Sequence, residues 1–179
     1  MRIFEPNADL PGPTLRDMIR PLVVPLTAAL IATPVAPALA ENLTISLAHG
    51  PISATLDPVT PGTASPGDLR LYHIDLTRPG KQKVVGFMTG SLLTTAGGRP
   101  TPGKEYRAAD LVFTVGNSQL VLGGVAVYDQ KAATVARRSS VIRPVIGGTG
   151  MYAGAHGWAK STRFKDNTWR HTFHVDVDK

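Results

Sequence analysis

From Glu41 to the C-terminus no helical period is sustained over three turns, and that absence points away from any helix-built domain. What recurs instead is short β-branched or aromatic runs separated by Gly, Pro, Asn and Asp. Eight such runs stand out: 42–48 (NLTISLA), 68–77 (DLRLYHIDLT), 83–95 (KVVGFMTGSLLTT), 105–115 (EYRAADLVFTV), 118–129 (SQLVLGGVAVYD), 138–147 (RSSVIRPVIG), 154–164 (GAHGWAKSTRF) and 168–177 (TWRHTFHVDV). Their connectors are hairpin-like, as in Arg78-Pro79-Gly80, Gly116-Asn117 and Lys165-Asp166-Asn167. Eight antiparallel strands with short links predict an all-β fold, an eight-stranded antiparallel β-barrel whose closure removes exposed edges. A lumen of that size holds side chains or one small ligand. A β-sandwich is the alternative architecture. The longest irregular stretch, 49–67, reads either as a lid or binding loop or as a flexible crossover.

The first forty residues have a different character. Arg16 and Arg20 precede the apolar stretch 21–32 (PLVVPLTAALIA), and Ala38-Leu39-Ala40 follows it. A basic region, a short apolar region and an A-x-A site read as a cleavable signal peptide over 1–40, with the barrel domain at 41–179. The apolar stretch is too short, and too interrupted by Pro21 and Pro25, to span a bilayer as a helix. Translation can start at Met1 or at Met18, which would give a more compact signal. The expected compartment is secreted or periplasmic, with no membrane insertion of the mature domain.

The leader carries Arg2, Arg16 and Arg20 against Glu5, Asp9 and Asp17, so the whole net charge of +6 belongs to the mature domain. Its Lys and Arg are scattered without an aromatic-interleaved stripe, which argues against nucleic-acid binding. The chain has no Cys, so disulfide scaffolds, thiolate metal sites and cysteine nucleophiles are excluded. No G-x-S-x-G elbow occurs, and a hydrolase of that kind is disfavoured.

Residues 148–153 (GTGMYA) match the G-x-G-x-x-A dinucleotide fingerprint in letters only. That fingerprint needs a helix and a ribose-binding acid further on, yet a strand-like run follows and 29 residues remain after Gly150. The longer stretch 145–157 (VIGGTGMYAGAHG), with Ser161-Thr162-Arg163-Phe164 and 168–173 (TWRHTF), resembles the C-terminal half of the allene oxide cyclase/dirigent-like barrel superfamily. The middle segments around Gly67-Asp68-Leu69 and Lys83-Val84-Val85-Gly86 fit the same pattern, so the resemblance covers roughly 43–177. It implies a barrel with a ligand cavity and no cofactor, often trimeric in plant members, that shapes a reactive small molecule. His156 stands where the family pattern has an Arg, and Val141-Ile142-Arg143-Pro144 stands where dirigent proteins often carry an acid.

Strand alternation groups the polar candidates. Leu69, Leu71, His73 and Asp75 share one face, and placing that face inward makes His73 and Asp75 a general acid/base pair; at the strand end they can equally be a solvated pair. Trp169 and Phe173 mark the buried face of the last strand, with His171 as a polar group needing a partner there, either core residue or catalyst. His174 lies on the opposite face, and no three ligands converge at metal spacing. His156 and Trp158 share a face, a polar head beside an aromatic wall. Arg143 is placed to pair with a substrate carboxylate or with Asp110, and Tyr106 and Asp110 share a face. These assign His156, Arg143, His73 and Asp75 to catalysis and Tyr106, Asp110, Trp158 and His171 to ligand binding. The expected function is a secreted cyclase or isomerase orienting a small apolar molecule without a cofactor or metal. The alternative is a barrel that binds a hydrophobic ligand or protein partner without chemistry. A dimer or trimer of the chain fits either reading.

Overall fold

The computed structural model describes residues 40–59, 65–97, 102–130 and 132–178. The chain divides into two units, Met1–Ala36 and Pro37–Lys179, and every described residue belongs to the second. Apart from Ala40, the expected leader lies outside the described residues.

Ten strand segments follow in order: β1 (Glu41–His49), β2 (Thr55–Asp57), β3 (Leu69–Thr77), β4 (Val84–Gly97), β5 (Lys104–Val115), β6 (Ser118–Leu122), β7 (Val125–Asp129), β8 (Ser139–Thr149), β9 (His156–Arg163) and β10 (Trp169–Val177). All pairings are antiparallel, in the order β1-β10-β9-β8-β6-β5-β4-β3-β2, and the Ala48–Thr77 pair between β1 and β3 closes the sheet. β6 and β7 both lie against β5, and β1 and β2 both lie against β3. The ten segments therefore occupy eight wall positions of a closed barrel, as the run count predicts. The expected 118–129 strand is broken at Gly123-Gly124, where the Gly124 carbonyl accepts a hydrogen bond from the Ala109 amide.

The inner face is set by alternation. Along β10, Trp169, His171, Phe173, Val175 and Val177 are buried while Arg170 is exposed. β1 contributes Ile45, Leu47 and His49 in the same phase. Phe113, Phe173, Leu47, Leu76, Leu120 and Leu122 are fully buried, and each such side chain stabilises the fold by about 1.5–3 kcal/mol. Two neighbouring strands come unusually close where β4 has Gly90. A Cβ there would lie 2.1 Å from the Asp110 carbonyl oxygen, and φ is +151°. Only glycine fits such a contact, and glycine kinks of this kind let a small barrel curve shut.

Gly147 and Gly148 continue β8, and the chain reverses through a 3-10 turn at Gly150–Tyr152 before β9. A strand follows it, so the helix a dinucleotide site needs is missing here. In the 49–67 stretch, β2 pairs with β3, and Asp68 holds the described end of the loop. Its carboxylate accepts hydrogen bonds from the Val59 amide (3.0 Å) and from the Ser65 amide (3.0 Å) and hydroxyl (3.1 Å).

Candidate functional site

The barrel interior holds a pocket lined by Ile52, Tyr72, Met88, Leu92, Leu111, Tyr128, Thr134, Val141, Arg143, Ser161, Trp169 and His171. Its free volume of about 40 Å³ is room for about three waters. β9 turns small residues inward: Ala159 and Ser161 are buried, as is Ala155 just before the strand, whereas Trp158 and Lys160 point out, and Ser161 lines the pocket.

Below the pocket wall sits a buried charge network. The Glu105 carboxylate, fully buried, accepts a hydrogen bond from Arg107 Nε and another from the Thr94 hydroxyl at 3.2 Å, and Arg70 lies 3.4 Å away. Arg107 also donates to the carbonyls of Asp129, Ala132 and Ala133, and Tyr72 donates to Ala133 at 3.1 Å. Through these bonds the 132–135 segment, with Thr134 and Val135 buried, covers part of the pocket.

Arg143 is different. It is 2 % exposed, yet no carboxylate pairs with it among the described residues. Its Nη2 donates to the Tyr128 hydroxyl at 2.5 Å, while Nε and Nη1 have no partner among those residues. Trp169 Nε1 is likewise buried without an acceptor. Burial pushes the Tyr128 phenol up against the pull of Arg143 and Arg107, and burial together with Tyr128 pushes the Tyr72 phenol up to about 12. Both phenols therefore stay protonated near neutral pH. The pocket is rich in donors and poor in acceptors, which is a setting for a carbonyl or oxyanion on an otherwise apolar ligand.

A second polar chain enters from the other side. Ser161 Oγ is 2.8 Å from His171 Nδ1, His171 Nε2 is 3.0 Å from His49 Nε2, and His49 Nδ1 is 2.6 Å from the Gly50 carbonyl oxygen. Phe113 packs edge-on against His171, and Trp169 stacks on both imidazoles. Burial is the first cause that lowers both histidines: His49 is lowered although the Gly50 carbonyl pulls it back up, and His171, beside His49, lies well below the ordinary 6.5. The unfolded chain, titrating near 6.5, then binds more protons than the folded one just below that value. Stability is accordingly full above about pH 6.5 and falls as the pH drops from there through the folded values. The melting temperature should decline between about pH 7 and pH 5, and His171→Gln should flatten that decline. A flat wild-type profile over that interval would contradict the buried neutral pair. Asp68 acts in a separate window: burial pushes its carboxyl up, but hydrogen bonds from Ser65 and Val59 and the neighbouring Arg70 together bring it below the ordinary 3.8, so its contribution is lost only as the pH falls below that value.

No protein-family model matches the sequence, and no curated protein matches it. Solved structures do. A pyocyanin demethylase superposes with a TM-score of 0.58 at 16% identity, covering 74% of this chain and 99% of that one. A pterocarpan synthase dirigent protein gives 0.56 at 14% identity over 79% and 93% of the two chains. A Diels-Alderase from Streptomyces koyangensis gives 0.55 at 13% identity over 81% and 71%. The chain has the dirigent-like barrel fold.

Within the dirigent-like barrel, the residues singled out from sequence divide sharply. Arg143 and His171 line the pocket. His73 and Asp75 are exposed on the outer face of β3, with His73 packed against Phe87, because Arg70, Tyr72 and Leu76 take the inner phase. Tyr106 and Asp110 face outward on β5, because Glu105 and Arg107 point in. His156 and Trp158 lie on the outer wall too. His156 Nε2 is 3.8 Å from Asp176, and Trp158 stacks on His174 at 4.2 Å. The expected cavity shared by His156 and Trp158 is therefore corrected: β9 presents its small residues inward, and the bulky ones have no room there. Asp110 is exposed and is not the partner of Arg143. Among the described residues no group of three His, Asp or Glu could hold a metal, and no helix is long and apolar enough to cross a membrane.

The residues that sequence reasoning missed are Tyr128, Ser161, Tyr72 and His49. His49 continues the Leu43, Ile45, Leu47 alternation of β1 by one step, and that step was readable. The alternate small residues 155, 157, 159 and 161 were the other available signal.

Proposed function

We propose that this chain is an exported, secreted or periplasmic cyclase or isomerase that orients a small apolar molecule with one oxygenated end, without a cofactor. The observation that carries the reading is Arg143, a buried guanidinium with two unpartnered N–H groups in a pocket otherwise walled by Met88, Leu92, Leu111, Val141 and aromatic rings. The names of the structural neighbours, a dirigent protein and a Diels-Alderase among them, fit chemistry of this kind. Apolar walls fix the ligand's orientation, and Arg143 with Tyr128 stabilises charge developing on its oxygen. A ligand larger than the pocket would have to displace the 132–135 segment or the chain around Ile52, the irregular segments that line it. Arg143 replaces the catalytic role that the sequence gave to His156.

The test is a panel of small conjugated ketones and phenols incubated with the mature domain, with products separated by mass and retention time. Isomerised or cyclised products that disappear with Arg143→Met support the reading. Ligands that bind but are returned unchanged favour a binding barrel without chemistry. Binding that Arg143→Met leaves intact would remove the site itself.

A further inference from the structure

The Ser161–His171–His49 chain has a direction, and the geometry fixes it. The Gly50 carbonyl can only accept, so His49 Nδ1 carries the proton and donates to it over 2.6 Å. In the neutral ring His49 Nε2 is then a lone pair, so His171 Nε2 must donate to it over 3.0 Å. That leaves His171 Nδ1 as an acceptor for the Ser161 hydroxyl at 2.8 Å. Every hydrogen bond points from the pocket toward β1. The two ends also open on different spaces. Ser161 and His171 line the interior pocket, whereas His49 lines a groove of about 370 Å³ on the other side of Trp169, with Thr77, Lys81 and Phe164. The groove lies at the seam where β1 and β3 share the single Ala48–Thr77 pair, so the wall is thin there.

We propose that Ser161, His171 and His49 form a proton relay through the barrel wall, taking a proton from a ligand in the pocket and parking it on His49 at the seam. This rests on the reading of the pocket as a site for an oxyanion-forming molecule, and it names the reaction class: abstraction of a weakly acidic O–H or C–H proton. The ligand's bond to hydrogen breaks and its electron pair stays on the ligand, beside the free N–H groups of Arg143. A new O–H bond forms on Ser161 Oγ as the hydroxyl's own proton passes to His171 Nδ1. His171 Nε2–H passes to His49 Nε2, and His49 becomes an imidazolium that keeps its Nδ1–H bond to Gly50. The buried His171 ends neutral in its other tautomer, so no cation is stranded beside Phe113. Charge in the pocket is carried by the ligand anion and Arg143 alone.

The test uses imidazole nitrogen NMR on the mature domain with para-nitrophenol, whose ionised form is coloured. Without the probe, His49 should be the Nδ1–H tautomer and His171 the Nε2–H tautomer; any other assignment overturns the relay. Exchange of the His171 N–H with solvent should slow on the order of tenfold in His49→Phe, because the exit is removed while the stack on Trp169 is kept. Unchanged exchange counts against the proposal. On adding the probe at a pH low enough to keep it un-ionised in solution, phenolate colour should appear only with the protein, His171 should switch to Nδ1–H and His49 should become doubly protonated. Ser161→Ala should still take up the probe through Arg143 but leave His171 unswitched, and Ser161→Thr should restore the switch. Probe bound as phenolate with His171 unswitched in the wild type overturns the relay and leaves the function reading standing. Failure of the wild type to take up the probe overturns both.

Discussion

Glu105→Gln is expected to destabilise the barrel by about 3–5 kcal/mol, the largest single-residue effect outside the hydrophobic core. The reason is what remains behind. Arg107 and Arg70 are both buried, and Glu105 is the carboxylate that meets them directly. Removing its charge leaves two guanidinium groups in a low-dielectric interior with hydroxyl and carbonyl partners only. Glutamine keeps the volume and one acceptor, so the loss reads out charge rather than packing. A denaturant titration measures it, and the exposed Lys104–Asp129 pair supplies the contrast. Asp129→Asn should change stability by less than about 1 kcal/mol, as solvent-exposed pairs do. A Glu105→Gln loss no larger than the Asp129→Asn one would show that the interior network is solvated.

That network also explains how far the sequence could be read. The strand count, the barrel and the antiparallel order were legible because turn residues punctuate the chain and β-branched runs fill the intervals. The last strand was legible down to its inward face, since Trp169 and Phe173 mark it without ambiguity. Strands β3 and β5 were not, for a specific physical reason. Their inner phases carry Arg70, Glu105 and Arg107, so hydrophobicity points to the wrong side, and an error of one residue flips every side chain. Charges inside a barrel are tolerable only when they meet one another across strands, and a single chain's pattern does not show which strands will meet. The site followed the same logic. Arg143 and His171 were in view, but His49 and Ser161 reach His171 only through the pairing of β10 with β1 and with β9, and Tyr128 reaches Arg143 only where the side chains of β7 and β8 meet inside the closed barrel.

Arg143→Met is expected to move two measurements in opposite directions. The free protein should become more stable by about 1–2 kcal/mol, because a buried guanidinium with unsatisfied N–H groups is replaced by an apolar chain of similar length. Part of that gain is offset because the Tyr128 hydroxyl loses its donor, a loss of about 1 kcal/mol. Affinity for a phenolate such as para-nitrophenolate should fall roughly 10- to 100-fold, the range for a lost hydrogen bond to a charged group. A residue kept for the fold would show the reverse, lower stability with ligand uptake unchanged. The two signs together identify Arg143 as a group the barrel carries at a cost in stability for the sake of its ligand. Tyr128→Phe separates the contributions further. It removes the acceptor of Arg143 Nη2 without emptying the pocket, so stability should fall slightly, and phenolate binding should weaken less than in Arg143→Met because Nε and Nη1 remain. If Arg143→Met instead unfolds the domain, the guanidinium is part of the structural network with Arg107 and Tyr128, and the pocket loses its claim to be a binding site.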